Sequence, residues 1–222
     1  MFRVIASTLL GAAFTGIAYR FLFILKREAG KNPIDFQLLL SIFLISKSGS
    51  QSLSHIQKIR RYFYLFTLLS FALLAITGWF PLLVFNHTLS GYALLFHASV
   101  SPIFAFCLLM WALMSVSFHT FVKRDWDWVK NRGWRSTETD DTLKHGYSVG
   151  RKVCFWSIIL PAFPVIVTIV LSMVSLFGTS EQMLLIRIHR YCALWLSFAM
   201  ILHAYFSFLT FEADNPNKIH EQ

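Results

Sequence analysis

Charge is scarce in this chain of 222 residues: Asp, Glu, Lys and Arg make up 14% of it, where a soluble domain carries roughly a quarter. With 56% of positions hydrophobic, that shortage excludes a water-soluble globular protein. Three cysteines are too few for a disulfide scaffold. Ten glycines and six prolines exclude collagen-like and low-complexity chains, and 23 Phe exclude intrinsic disorder. Asp and Glu are missing from the four most apolar stretches, which argues against a carboxylate relay for protons or cations inside them. Internal repeats, a Cys-x-x-Cys-His motif and a phosphate-binding glycine loop are also lacking.

What is present is a series of apolar runs of about 20 residues, the length that crosses a hydrocarbon core as a helix. Val4 to Leu25 reads as an uncleaved transmembrane helix, with Gly11, Ala12, Ala13 and Gly16 for close packing and Arg20 to snorkel. Asp35 to Ser46 is too short to span and is expected as an interfacial helix. Four stronger spans follow at Tyr62 to Phe85, Tyr92 to Phe118, Val153 to Phe177 and Met183 to Phe211, the third expected to kink at Pro161 and Pro164. The fold class is all-α, an integral membrane helical bundle. It divides into an N-terminal helix and interfacial segment (1–57), a four-helix core (58–212) and a tail (213–222).

Orientation follows from Lys and Arg, which resist translocation. Lys26 to Arg61 holds seven and Lys123 to Lys152 holds eight, whereas Pro81 to Gly91 has none. The two rich segments are expected in the cytoplasm, giving five crossings with the N-terminus outside and the C-terminus cytoplasmic. The net charge of +9 reflects this topology, not nucleic-acid binding. Trp126, Trp128 and Trp134 in the second basic segment read as an interfacial aromatic belt.

Histidine is the residue type that carries chemistry. Of eight, His97, His189 and His203 fall within spans; His119 lies at a helix end, and His55, His87, His145 and His220 lie in loops or tails. His189 and His203 are fourteen residues apart, close to four helical turns, so they share a face at two depths. His97 and His189 lie at similar depth in spans that start from the same side. That placement suits imidazole ligation of haem iron between facing helices; the alternative is that each histidine bonds a neighbouring carbonyl or hydroxyl. Zinc lacks two further ligands nearby in sequence. Cys107, Cys154 and Cys192 are isolated and read as packing residues.

These features resemble a known family. His97 near the start of a span, Tyr147-Ser-Val-Gly150-Arg-Lys152-Val-Cys-Phe-Trp156 leading into the next, and Ile188-His189 followed by His203-Ala204-Tyr205 are similar to the cytochrome b (gamma) subunit of bacterial formate dehydrogenases. Nickel-iron hydrogenase and thiosulfate reductase cytochrome b subunits are its relatives. The resemblance covers about residues 58 to 212. It implies a bacterial inner-membrane subunit carrying two b haems on four histidines and exchanging electrons with quinone and with an iron-sulfur or multihaem partner on the outer face. His97 and His189 would ligate the outer haem and His203 the inner one. The family's fourth ligand, fourteen residues before a glycine, falls on Tyr64 here, counted from Gly78. The expected replacement is His55; Met110, Tyr64 itself or a single haem are the other solutions. Arg187 and Arg190 are candidates to pair with haem propionates, and Tyr64, Arg61, His55 and Lys152 are candidates to contact quinone. Two other functions stay open: a cofactor-poor membrane anchor that recruits a redox partner, and a haem-dependent transmembrane reductase, although Trp111 stands fourteen residues after His97 where a second histidine would be expected.

Overall fold

The computed structural model describes residues 2–28, 54–130, 140–173 and 177–213. Among them the chain is helical and contains no strand. The helices are α1 (Phe2–Glu28), α2 (His55–Val84), α3 (Gly91–Ser115), α4 (Lys123–Lys130), α5 (Asp140–Met173) and α6 (Thr179–Ala213), with a 3-10 turn at Val116–Phe118 after α3. The interfacial helix expected over 35–46 and the tail 214–222 lie outside the described residues. Two compact units are distinguished, one of Met1–Ser7, Ser52–Thr120 and Ile159–Ser197, the other of Thr8–Gln51, Phe121–Ile158 and Phe198–Gln222.

Local chemistry sets the helix ends. At the start of α2 the Ser54 N–H donates to Gln57 Oε1 at 3.1 Å, satisfying a backbone donor that the helix itself leaves open. At its other end Pro81 O accepts from the N–H groups of Phe85 and His87, both at 3.2 Å. The chain then reverses through Asn86 and Gly91, which both take positive φ (56° and 61°), the backbone region that Asn and Gly enter most readily. In α5 the helix runs unbroken through Pro161 and Pro164 for 34 residues.

Four helical stretches are long and apolar enough to cross a membrane: His55–Val84, Gly91–Phe118, His145–Ser172 and Thr179–Ser207. Large apolar side chains lie on the surface of these helices. Leu69, Ile76, Leu113, Leu160, Phe163 and Met183 are exposed, while Thr67, Ser70, Thr168 and Ser197 are buried. Each of these four hydroxyls donates to a carbonyl one turn back, at 2.6 to 2.7 Å, so none reaches an apolar interior unsatisfied. A lipid-facing surface is the environment in which such a distribution is stable. The N-terminal helix contributes a shorter apolar stretch, Phe2–Ala13.

In the first unit α2 and α3 pack as an antiparallel pair. Phe63 meets Phe106, Tyr64 meets Trp111, Phe71 meets Phe104 and Thr77 meets His97, so contacts climb α2 as they descend α3. Trp79 Nε1 donates to Ser197 Oγ at 3.0 Å and ties α2 to α6. The tip of α1 joins the same end. Phe2 stacks on Trp79 at 6.1 Å and meets Tyr191 edge-on at 4.8 Å, Arg3 donates to Leu83 O at 2.7 Å, and Ala6 is fully buried.

The second unit holds the segment expected as a basic cytoplasmic loop, and most of its described part is helix. α4 opens with Val122, whose N–H donates to Asp125 Oδ2 at 2.9 Å while its carbonyl accepts from Asp125 N–H. Val149, Cys154, Phe155 and Ile158 of α5 are buried here, with Ala199, Met200 and His203 of α6.

Candidate functional site

His97 and His189 both belong to the first unit, on α3 and α6. They lie within electrostatic reach of one another. Each imidazole is held by its Nδ1. His189 Nδ1 is 3.0 Å from Val165 O on α5; a carbonyl only accepts, so Nδ1 carries the proton. His97 Nδ1 is 2.9 Å from Thr77 Oγ1 on α2. The Thr77 hydroxyl directs its own hydrogen to Leu73 O at 2.8 Å, leaving its oxygen to accept from His97 Nδ1–H. Nδ1 is thus the protonated nitrogen of both rings, and in the neutral tautomer this leaves the lone pair on Nε2.

This is the pattern of metal-ligating histidines, whose second nitrogen is usually engaged by a carbonyl or other acceptor that fixes ring and tautomer. Four helices supply it: α2 through Thr77, α3 through His97, α5 through Val165 and α6 through His189. Gly78 leaves the space beside His97 open; a Cβ there would stand 3.4 Å from His97 Cε1. Among the described residues no group of three or more His, Cys, Asp or Glu gathers, so the donor set available here is two imidazoles. That suits an ion whose other positions are filled by a macrocycle, as in bis-histidine haem, better than four-coordinate zinc.

The other sequence-predicted residues are distributed as follows. Arg190 is half-buried and Arg187 exposed in the third and fourth turns of α6, flanking His189. Tyr64, with its ring 5.4 Å from Trp111, and Arg61 are half-buried on α2. His55 is exposed in the first turn of α2, and Met110 is half-buried on α3. His203 is 3% exposed in α6, within the second unit. His119, expected at the membrane edge, is buried after the 3-10 turn, with Nδ1 2.9 Å from Ser115 O. Lys152 is in an ion pair: its Nζ lies 2.6 Å from Asp125 Oδ2.

Sequence reasoning missed Thr77, Val165 and Asp125. Thr77-Gly78 near the end of an apolar span was a usable signal, since a hydroxyl beside a residue without a side chain leaves room for another helix's ring. The Val165 contact is made by backbone and has no side-chain signature. Comparison with protein-family models, curated proteins and solved structures returned no match.

Proposed function

We propose that this protein is a membrane cytochrome b subunit that passes electrons between a quinone pool and a partner oxidoreductase. The observation that carries the reading is the His97/His189 pair on α3 and α6, with Nδ1 of each ring engaged and Nε2 the candidate ligand atom. These two residues would hold a b haem, which supplies a one-electron couple when bound. Val165 O and the Thr77 hydroxyl orient the imidazoles and make them better donors. Arg187 and Arg190 supply positive charge beside His189 for anionic propionates. His203 is the candidate ligand for a second b haem. Tyr64 and Arg61 are the candidates to hydrogen-bond a quinone carbonyl.

The partner is an iron-sulfur or multihaem protein docked at the His97/His189 end. The sequence resemblance to formate dehydrogenase cytochrome b subunits supports this reading, and with it a bacterial inner membrane with that end outside. The test is a dithionite-reduced minus oxidised spectrum of the purified protein, with a pyridine haemochrome assay of haem per polypeptide. Wild type is expected to bind one or two b haems, and His97→Ala and His189→Ala each to lose the same one. Wild type without haem, or both variants with full haem, overturns the reading.

A further inference from the structure

Three buried polar atoms of the second unit have no hydrogen-bond partner and belong to one contact between α4 and α5: Asp125 Oδ1, Trp128 Nε1 and His145 Nε2. Asp125 and Trp128 are three residues apart on α4 and share a face. Opposite them α5 presents His145, Val149 and Lys152, whose spacing of four and then three keeps them on one stripe. The carboxylate is 1% exposed and fixed at Oδ2, which accepts from Lys152 Nζ at 2.6 Å and from Val122 N–H at 2.9 Å. Burial opposes its ionisation, but Lys152 and the Val122 N–H outweigh that and hold the group below the usual carboxylate range. Asp125 is therefore an anion with one oxygen uncommitted. That oxygen ends 3.4 Å from His145 Nε2, an ion-pair separation that does not meet hydrogen-bond geometry.

The indole completes the arrangement. Trp128 stands edge-on to His145, with centroids 6.3 Å apart and planes at 72°. The edge of its six-membered ring runs along Gly146, where a Cβ would come within 2.8 Å of Cζ2 and 3.4 Å of Cη2. A side chain at 146 would push this indole away from α5, one residue from His145.

A carboxylate oxygen facing an imidazole nitrogen, and an indole N–H, thus lie buried in one α4/α5 contact without a hydrogen-bond partner. A buried polar group left without a partner is destabilising. A cation does not suit them, because Lys152 already neutralises the carboxylate and one carboxylate with one imidazole is a poor ligand set. A second anion would be repelled by Asp125. The group that satisfies an anionic acceptor and an N–H donor together is neutral and both gives and takes a hydrogen bond. We propose that the α4/α5 contact is a hydroxyl-binding site, in which an O–H donates to Asp125 Oδ1 and accepts from Trp128 Nε1–H, with His145 Nε2 as a third partner. Ordered water and a hydroquinone both carry that group. The site uses residues of the second unit alone and is independent of the haem reading.

Ultraviolet resonance Raman spectroscopy of the full chain, wild type minus Trp128→Phe, isolates the band of this one indole that reports its N–H hydrogen bond. A hydrogen-bonded indole is expected, weakened by Asp125→Asn, which keeps the shape and withdraws the anionic acceptor; that second variant gives the reading if Trp128→Phe does not fold. An infrared O–H band that shifts on exchange into ¹⁸O water and is weakened in the variants assigns the hydroxyl to water. A shift of the indole band on adding a short-chain hydroquinone assigns it to that molecule. A free indole N–H overturns the proposal, as does a bonded one that responds to neither isotope nor hydroquinone.

Discussion

Thr77 and Gly78 test the residue-scale argument because they touch His97 without being its ligand partner. Thr77→Val keeps the shape and removes the oxygen that accepts from Nδ1–H. Loss of such an outer contact typically lowers metal affinity about 10–100-fold, so Thr77→Val is expected to reduce haem retention by that order, read by haem titration of the apoprotein, with the helix content unchanged. At Gly78 size decides. A methyl at 3.4 Å from His97 Cε1 is ordinary contact, so Gly78→Ala is expected to keep the wild-type haem spectrum. Gly78→Val places further carbons against the ring, and its spectrum is expected to show lost or altered ligation. Equal behaviour of the two variants would count against the packing argument.

At the scale of elements, α4 is held to α5 by a carboxylate from which Lys152 cannot be removed cheaply. Deleting one member of a buried pair leaves the other charge uncompensated, a cost of about 3–5 kcal/mol; Lys152→Met is expected to destabilise the protein by that order, measured by unfolding in detergent. Acid has a related effect. Because folding lowers the Asp125 pKa, the pair's contribution is complete above the ordinary carboxylate value of about 3.9 and is lost as pH falls through the lower folded value. Wild type should therefore lose stability relative to Asp125→Asn across that acidic window; parallel profiles would show that the carboxylate does not contribute. None of this was legible in the sequence. Asp125 reads there as one charge among many in a basic segment, and its burial depends on Lys152, 27 residues further on. Trp128 reads as an interfacial residue for the same reason: periodicity shows a face, not what covers it. The four spans and the all-α class were legible because length and apolarity alone determine them. The similar depth of His97 and His189 could be read from sequence because fixed helical rise converts position into depth; the Thr77 and Val165 contacts of their rings could not.

For the molecule as a whole, four consecutive spanning helices fix which connections share a side of the membrane. Four crossings would put residues 85–90 on one side and Trp126 on the other. Single cysteines at His87 and Trp126, in a background lacking Cys107, Cys154 and Cys192, are expected to react with an impermeant maleimide from opposite faces of sealed vesicles, with His87 on the outer face if the basic segments stay in the cytoplasm. Labelling of both from one face would remove the four-span topology. The contact of Phe2 with Trp79 and Tyr191 adds a constraint of time. The tip of α1 is made first, yet the residue it meets edge-on is made roughly 190 positions later, a wait of about 10–40 s at ordinary rates of synthesis. Until then Phe2 lacks its edge-on partner, so the end of the first unit that carries His97 and His189 stays incomplete until α6 has been made.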